Sequence, residues 1–197
     1  APFKTVKELV AYAKANPGKV SFASSGTGSA AHLTTEYLKA LTGSYMVHIP
    51  YRGAAPALAD LAGGQVNAMM VDLAAGAGFI KGGKVRPLAV AGAKRIPAWP
   101  DVPTMEELGY KNFNHSGFVG LVGPAKLPQP VVAVLLKALN ESIHDELFKT
   151  RMQELGMTIP DAASNTPENF AAYMRAERDR QAELAKLTGH DPMAPKQ

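Results

Sequence analysis

The chain has 197 residues, and 46% of them are hydrophobic, which is enough to fill one ordinary domain or two small lobes. Its longest apolar stretches, such as 66–71 and 131–136, are far shorter than the 18 or so residues that a membrane-spanning helix requires. Because it has no cysteine, a disulfide framework and a thiolate metal site are both excluded.

The net charge of +4 does not indicate a nucleic-acid partner, because Lys and Arg are spread along the chain among Asp and Glu. The densest mixture of charges, residues 175–180, alternates in sign. Such alternation is typical of a solvated helix face. We therefore expect a globular protein that does not bind nucleic acid.

The first part of the chain alternates between helical and strand-like segments joined by short connections. This order predicts a parallel sheet flanked by helices, and ligands of such sheets bind beyond the carboxyl ends of the strands. The loops that follow strands are therefore the candidate sites. The predicted helices are 5–16, 29–41 (closed by Gly43), 56–61 and 73–80, and the predicted strands are 19–23, 45–49, 65–71 and 85–91.

The pattern changes after residue 103. The remaining segments provide too few strands for a separate sheet, so this part needs partners, and we place a lobe boundary within 117–124. The predicted elements here are a short helix at 104–108 with Thr104 as its N-cap, an extended segment at 113–122, a long helix at 131–148, and a last helix that follows Thr166 as N-cap.

The first candidate loop joins the strand at 19–23 to the helix that Ser29 opens. Hydroxyl groups, backbone N–H groups and the positive end of a helix converge here, which predicts an anion site. A dinucleotide fingerprint would need a third glycine at Ala31, and a P-loop would need Gly-Lys-Ser/Thr, so a carboxylate is the simplest ligand. The loop consists of Ser24, Ser25, Gly26, Thr27, Gly28 and Ser29.

Two further positions lie at the same predicted edge. After the strand at 45–49, Tyr51 is predicted to form a wall, Arg52 is a candidate carboxylate ligand but also an ordinary surface charge, and Gly53 leaves bare backbone. Asp72 follows the buried run 68–71. It has two interpretations that stay open, a helix N-cap and a cleft-facing group.

Catalytic alternatives have little support in the sequence. The histidines show no HExxH or other close metal spacing, and there is no Gly-x-Ser-x-Gly elbow. His32 lies one turn into the helix that Ser29 opens, and we interpret it as a packing residue rather than one that shapes the loop. An enzyme of carboxylate metabolism on a similar frame remains the alternative hypothesis, and so does a chain without a competent site.

A series of short motifs, taken in order, resembles the substrate-binding proteins of tripartite tricarboxylate transporters, the Bug family. One departure is Phe118, where many relatives have a Trp before the crossing strand. The matching blocks lie at 5–9, 16–18, 24–33, 49–53 with 56–57, 60–66, 86–90, 100–104 with Glu107, 120–124 and 155–156.

The resemblance implies a periplasmic binding protein type II-like α/β fold with two lobes that close on a ligand. On this mapping 1–117 form the second lobe nearly complete, and 118–197 form the returning C-terminal part of a first lobe whose N-terminal portion is absent. The loops above would bind the carboxylate, with no cofactor. The implied partners are membrane subunits of the transporter, in the periplasm, and the exposed surface of the first lobe predicts a possible dimer.

Overall fold

Three parallel strands form one sheet, in the order β2-β1-β3. The computed structural model describes residues 1–111, 113, 117–155 and 157–189. Because the strands run parallel, their carboxyl ends lie at one edge of the sheet. In these ranges the elements are α1 (Val6–Ala15), β1 (Ser21–Ser24), α2 (Ala30–Thr42), β2 (Val47–Pro50), α3 (Ala54–Ala62), β3 (Ala68–Met69), α4 (Leu73–Lys81), α5 (Gln129–Ile143), α6 (Glu146–Glu154) and α7 (Pro167–Leu187).

The ends of the predicted helices are fixed by local hydrogen bonds. The Thr5 side chain accepts the N–H of Glu8 at the start of α1, and Ser29 does the same for His32 in α2. Gly43 ends α2 with a φ of 61°, a left-handed conformation that glycine adopts readily. These predicted boundaries are confirmed.

The predicted strand at 65–71 is reduced to Ala68–Met69. Asn67, just before this strand, bonds β1 through its side chain. Its side-chain oxygen accepts both the N–H and the hydroxyl of Ser21, at 2.9 and 3.1 Å. The Asn67 N–H also donates to the Ser21 carbonyl at 3.1 Å, so a side chain and the backbone together join this end of the strand to β1. The pairing of β1 with β3 is limited to two residue pairs, Phe22 with Ala68 and Ala23 with Met69.

The predicted strand at 85–91 is wrong. Among the described residues this segment pairs only at Val90, which forms an isolated parallel bridge with Thr104. Pro87 within it has no N–H to donate, which disfavours a continuous ladder. The expected extended segment at 113–122 likewise contains no strand in its described part, residue 113 and residues 117–122.

The predicted helix at 104–108 is a turn with the hydrogen bonds of a helix start. Glu107 donates its N–H to the Thr104 hydroxyl, and Thr104 donates its N–H to the Glu107 carboxylate at 2.8 Å. This bond and the Arg95 guanidinium hold the pKa of Glu107 below its ordinary value. Gly109, with a φ of 92°, ends the turn before a helix can form.

The single helix predicted at 131–148 is two helices. The chain breaks at Asp145, whose side chain accepts the N–H groups of Leu147 and Phe148 and so caps α6. The prediction for the last helix is confirmed, since Thr166 caps α7 and Pro167 is its first residue. Gly156, in the last family block, lies outside the described residues.

The core lies in the first part of the chain, where α1, β1 and α2 meet. Residues 118–155 contribute no residue of the buried class, whereas α7 returns to pack on α2 and buries Leu184 and Ala185. In the part of the chain that the structure describes, no helix is both long and apolar enough to cross a bilayer. The main core cluster consists of Phe3, Val6, Leu9, Val10, Ala13, Val20, Phe22, Leu38, Met46, Met105 and Phe113.

Candidate functional site

The β1–α2 loop, residues 24–29, turns sharply between a buried strand and a helix. Two glycines make the turn possible, with φ of 138° at Gly26 and 80° at Gly28. The Ser29 N–H donates to the Gly26 carbonyl at 3.2 Å, which closes the loop on itself. The loop therefore has a defined shape at the carboxyl edge of the sheet.

Ser24 lies beneath this loop rather than on its surface. It is fully buried, and its hydroxyl lies 2.7 Å from Nε2 of His48. The same oxygen accepts the Gly26 N–H at 3.2 Å. Its predicted contact with a ligand is untested, and in this conformation its hydroxyl stabilises the loop from below.

The upper side of the loop carries free donors. Ser25 and Thr27 are exposed. Among the described residues, the backbone N–H groups of Ser25, Thr27 and Ala30 have no protein acceptor. The Gly28 N–H instead donates to Nδ1 of His32 at 3.1 Å. Unpaired N–H groups at the N-terminus of α2 are suited to bind an anion, because the helix dipole is positive there.

The loop after β2 is joined to the β1–α2 loop by its backbone. The Tyr51 N–H donates to the Ser24 carbonyl at 3.0 Å. The Tyr51 hydroxyl donates to the Asp60 carboxylate at 2.7 Å, and this bond raises the pKa of Tyr51 above its ordinary value, with partial burial and the Asp60 charge adding to it. Tyr51 therefore stays neutral, with its hydroxyl fixed to Asp60 of α3. Arg52 is exposed, and within the described ranges it has no ion-pair partner.

Gly53 and Asp72 precede helices α3 and α4. Gly53 has a φ of 114°, and no side chain caps α3. Asp72 occupies the N-cap position of α4, yet its side chain makes no capping hydrogen bond. One of its carboxylate oxygens lies 3.3 Å from the position that a Cβ on Gly117 would take. Its side chain therefore does not cap α4, and its role as a cleft-facing group stays a prediction.

A cleft of about 1320 Å³ opens beside these loops. Among the predicted site residues, Ser25, Gly28 and Asp72 line its wall, together with Gly117 and Phe118. Phe118 is held by Phe170 and Tyr173, with ring centroids 6.0 and 5.2 Å away. The other seven predicted residues do not line this cleft. They are Ser24, Gly26, Thr27, Ser29, Tyr51, Arg52 and Gly53.

The cleft and loops have the arrangement of a binding site, and comparison with known proteins assigns the chain to a family. Residues 1–187 match the family described as the tripartite tricarboxylate transporter family receptor. The chain belongs to this receptor family.

This chain matches only part of the length of its relatives in the receptor family. Protein BugT of Bordetella pertussis is 35% identical over 181 residues, which are 92% of this chain and 55% of BugT. The periplasmic binding protein BugD is similar in structure, with 37% identity and a TM-score of 0.86, over 97% of this chain and 64% of BugD. The chain thus spans somewhat more than half the length of these relatives.

Another solved structure, an R. palustris protein with adipate, is 30% identical with a TM-score of 0.89. The match covers 95% of this chain and 62% of that protein. A third, MatC from Rhodopseudomonas palustris with bound malate, is 28% identical with a TM-score of 0.83, over 93% of this chain and 62% of MatC. These neighbours confirm the predicted α/β fold, a large part of a periplasmic binding protein.

Sequence reasoning missed one feature of this candidate site, the pair of histidines beneath the loop. His48 lies on β2 and contacts Ser24 from below, and His32 accepts a hydrogen bond from the loop as well as packing. The sequence contains only a weak signal for these contacts. His32 lies three residues after a predicted N-cap, and His48 lies just before the end of a predicted strand. Neither position alone indicates that the two rings meet.

Proposed function

We propose that the chain is the ligand-binding part of a solute receptor that captures a small carboxylate for a tripartite tricarboxylate-type transporter. The observation that carries this proposal is the β1–α2 loop, which leads into the N-terminus of α2 and in which the N–H groups of Ser25, Thr27 and Ala30 have no acceptor among the described residues. The loop borders a cleft of about 1320 Å³, a size that accommodates a small organic acid.

The charge of the loop favours an anionic ligand of modest size. Residues 24–29 contain no charged side chain, so attraction comes from oriented N–H groups, hydroxyls and the α2 dipole. The R. palustris neighbours were solved with adipate and with malate, both dicarboxylates. We propose that this chain binds a small carboxylated compound: a dicarboxylate, a tricarboxylate, an amino acid or a related compound.

The same proposal assigns the chain a periplasmic location, membrane transporter subunits as partners, and no catalysis or cofactor. Its support is the family match and the description of BugD as a periplasmic binding protein. The described residues contain no group of three His, Cys, Asp or Glu side chains that could hold a metal ion.

A thermal-shift screen with adipate, malate and other small carboxylates tests this function. A ligand at a hundred times its Kd stabilises the folded state by about 2.7 kcal/mol. For a chain of this size we expect the Tm to rise by roughly 5 to 10 °C. Any longer product of the same gene is measured beside the 197-residue chain, because the relatives that the chain matches are longer than it.

The matched control for adipate is 1,6-hexanediol, which has a similar carbon chain without the two carboxylates. We expect no shift with the diol. Equal shifts with adipate and the diol would contradict recognition of the carboxylate. Turnover of any compound in the screen, without stabilisation by a carboxylate, would instead establish the enzyme hypothesis.

We also propose that residues 118–155 take part in association, as the exposed first-lobe surface predicts. Several of their large apolar side chains face solvent, including Val119 at 86% exposure, Val122 at 76% and Leu147 at 76%. Large exposed apolar side chains concentrated in one segment of the chain are typical of a surface that associates. A second copy of the chain is the occupant that we propose.

Sedimentation equilibrium of the chain measures this association. We expect dimers that Leu147→Glu weakens at least tenfold, because a charge would be buried in the interface. Leu41→Glu, on the exposed end of α2, is the matched control and should leave the dimer unchanged. A monodisperse monomer of the unaltered chain at high concentration would contradict the proposal.

A further inference from the structure

Two histidine rings lie stacked beneath the β1–α2 loop. His32 on α2 and His48 on β2 have ring centroids 3.9 Å apart and planes inclined by 22°. Phe22 on β1 lies against the pair, 4.8 Å from the ring of His48. His32 is only 1% exposed. Three neighbouring elements therefore place these rings directly below the candidate anion site.

Each histidine holds a different part of the loop. Nδ1 of His32 accepts the Gly28 N–H at 3.1 Å, near the point where the loop enters α2. Nε2 of His48 lies 2.7 Å from the Ser24 hydroxyl, which in turn accepts the Gly26 N–H. The two rings thus connect to both glycine turns of the loop.

The bond to His32 exists in only one protonation state of the ring. A backbone N–H can only donate, so Nδ1 of His32 must carry a lone pair. The ring is then the neutral tautomer with its proton on Nε2. Protonation of Nδ1 would remove the acceptor and direct an N–H toward another N–H. The Gly28 turn would lose its support.

The charged groups around His32 do not substitute for that acceptor. On α2, a carboxylate oxygen of Glu36 lies 3.8 Å from Nε2 of His32, on the side away from Gly28. Lys39 binds both oxygens of this carboxylate, at 2.6 and 2.8 Å. On α7, which packs against α2, Glu177 pairs with Arg180 at 2.7 Å. On β2 the facing titratable group is His48 itself.

We propose that His32, with His48 stacked on it, is a positioning residue that must be neutral for the β1–α2 loop to bind a carboxylate. Acidification would therefore weaken binding, although nearby positive charge on its own would strengthen the attraction of an anion. This inference rests on the proposed function, because it concerns the affinity of the same loop. It adds a pH dependence that the loop residues themselves, having no titratable side chain, do not supply.

Two amide variants distinguish the hydrogen-bond acceptor that His32 provides from the ability of its ring to bind a proton. In His32→Asn the amide oxygen stands where Nδ1 stands, so it can accept the Gly28 N–H without titrating. In His32→Gln the amide group reaches the Nε2 position instead. Dissociation constants for adipate and malate are measured by calorimetry at pH 8 and pH 5.5, with circular dichroism as a check on folding.

We expect the unaltered chain to bind roughly tenfold more weakly at pH 5.5 than at pH 8, the effect of one lost hydrogen bond. H32N should bind within about threefold of the unaltered chain at pH 8 and change little with pH, whereas H32Q should be roughly tenfold weaker at pH 8. Any titration of the ligand's own carboxyl groups affects H32N and the unaltered chain equally. The difference in pH dependence between the two proteins therefore isolates the contribution of the His32 ring.

An equal pH dependence in the unaltered chain and H32N would overturn the inference alone, as would tighter binding at pH 5.5. Failure of the unaltered chain to bind either acid at pH 8 would overturn the proposed function together with it. Nitrogen-15 NMR of the histidine rings needs neither ligand nor variant. It should show His32 as the neutral Nε2–H tautomer at pH 8, and an Nδ1–H tautomer or a charged ring there would overturn the inference.

Discussion

Phe22→Ala is expected to lower the free energy of unfolding by about 3–5 kcal/mol, the usual loss for a buried Phe truncated to Ala. Phe22 lies in the central strand of the sheet and is fully buried. It belongs to the main core cluster and also supports the ring of His48. The substitution therefore removes core packing together with the support of the His48 ring beneath the β1–α2 loop.

Urea denaturation measures this loss, and Phe148→Ala is the matched control. Phe148 is 38% exposed on α6, so the same truncation there should cost about 1 kcal/mol or less. Phe22→Leu nearly conserves the volume and should cost less than about 1.5 kcal/mol. Equal losses for Phe22→Ala and Phe148→Ala would show that the first part of the chain does not contain the main core.

The features that the sequence predicted well depend on hydrogen bonds between residues close in the chain. Thr5, Ser29 and Thr166 each cap a helix by accepting an N–H three residues ahead. The residue types alone decide such bonds, because the chain between the partners has little freedom. The same reasoning identified the β1–α2 loop, where the two glycines permit the turn and Ser29 caps the helix that follows.

The features that the sequence predicted poorly depend on residues far apart. The position of β3 beside β1 depends on Asn67, which bonds Ser21, 46 residues away in sequence. The contact of His48 with Ser24 spans 24 residues. Periodicity in one segment carries no information about its partner in another. The same holds for 85–91, whose apolar residues favour a strand but whose only described bridge is to Thr104.

The break before α6 shows a local signal that a stronger pattern obscured. Apolar spacing continues through 131–148, so a single helix was predicted. Asp145 competes with this pattern, because its side chain satisfies the N–H groups of a new helix start. Both helices around the break leave large apolar side chains in solvent, so little packing opposes the cap.

Gly26→Ala is expected to weaken the binding of adipate or malate at least tenfold and to destabilise the fold by about 1–3 kcal/mol. At a φ of 138° an L-residue is strained, whatever the space around it. Relief of this strain would rotate the peptide groups of Gly26, whose N–H bonds Ser24 and whose carbonyl accepts the Ser29 N–H. The unpaired N–H groups of Ser25 and Thr27, on either side of Gly26, would then be reoriented.

Gly78→Ala is the control for the chemistry of the substitution. Gly78 lies in α4, where a Cβ meets nothing within 4 Å. Alanine there should stabilise the chain by about 0.5–1 kcal/mol, since it is the better helix former. Calorimetric titration compares the affinities of both variants for adipate and malate, and urea denaturation compares their stabilities.

The comparison between affinity and stability decides where the carboxylate binds. If the β1–α2 loop binds it, Gly26→Ala loses affinity even at temperatures where circular dichroism shows the variant fully folded. If Gly26→Ala is less stable but binds both acids with unchanged affinity, the loop is only a structural turn. The carboxylate would then bind elsewhere in the cleft, whose lining includes Asp72 and Phe118, and the inference about His32 would be overturned as well.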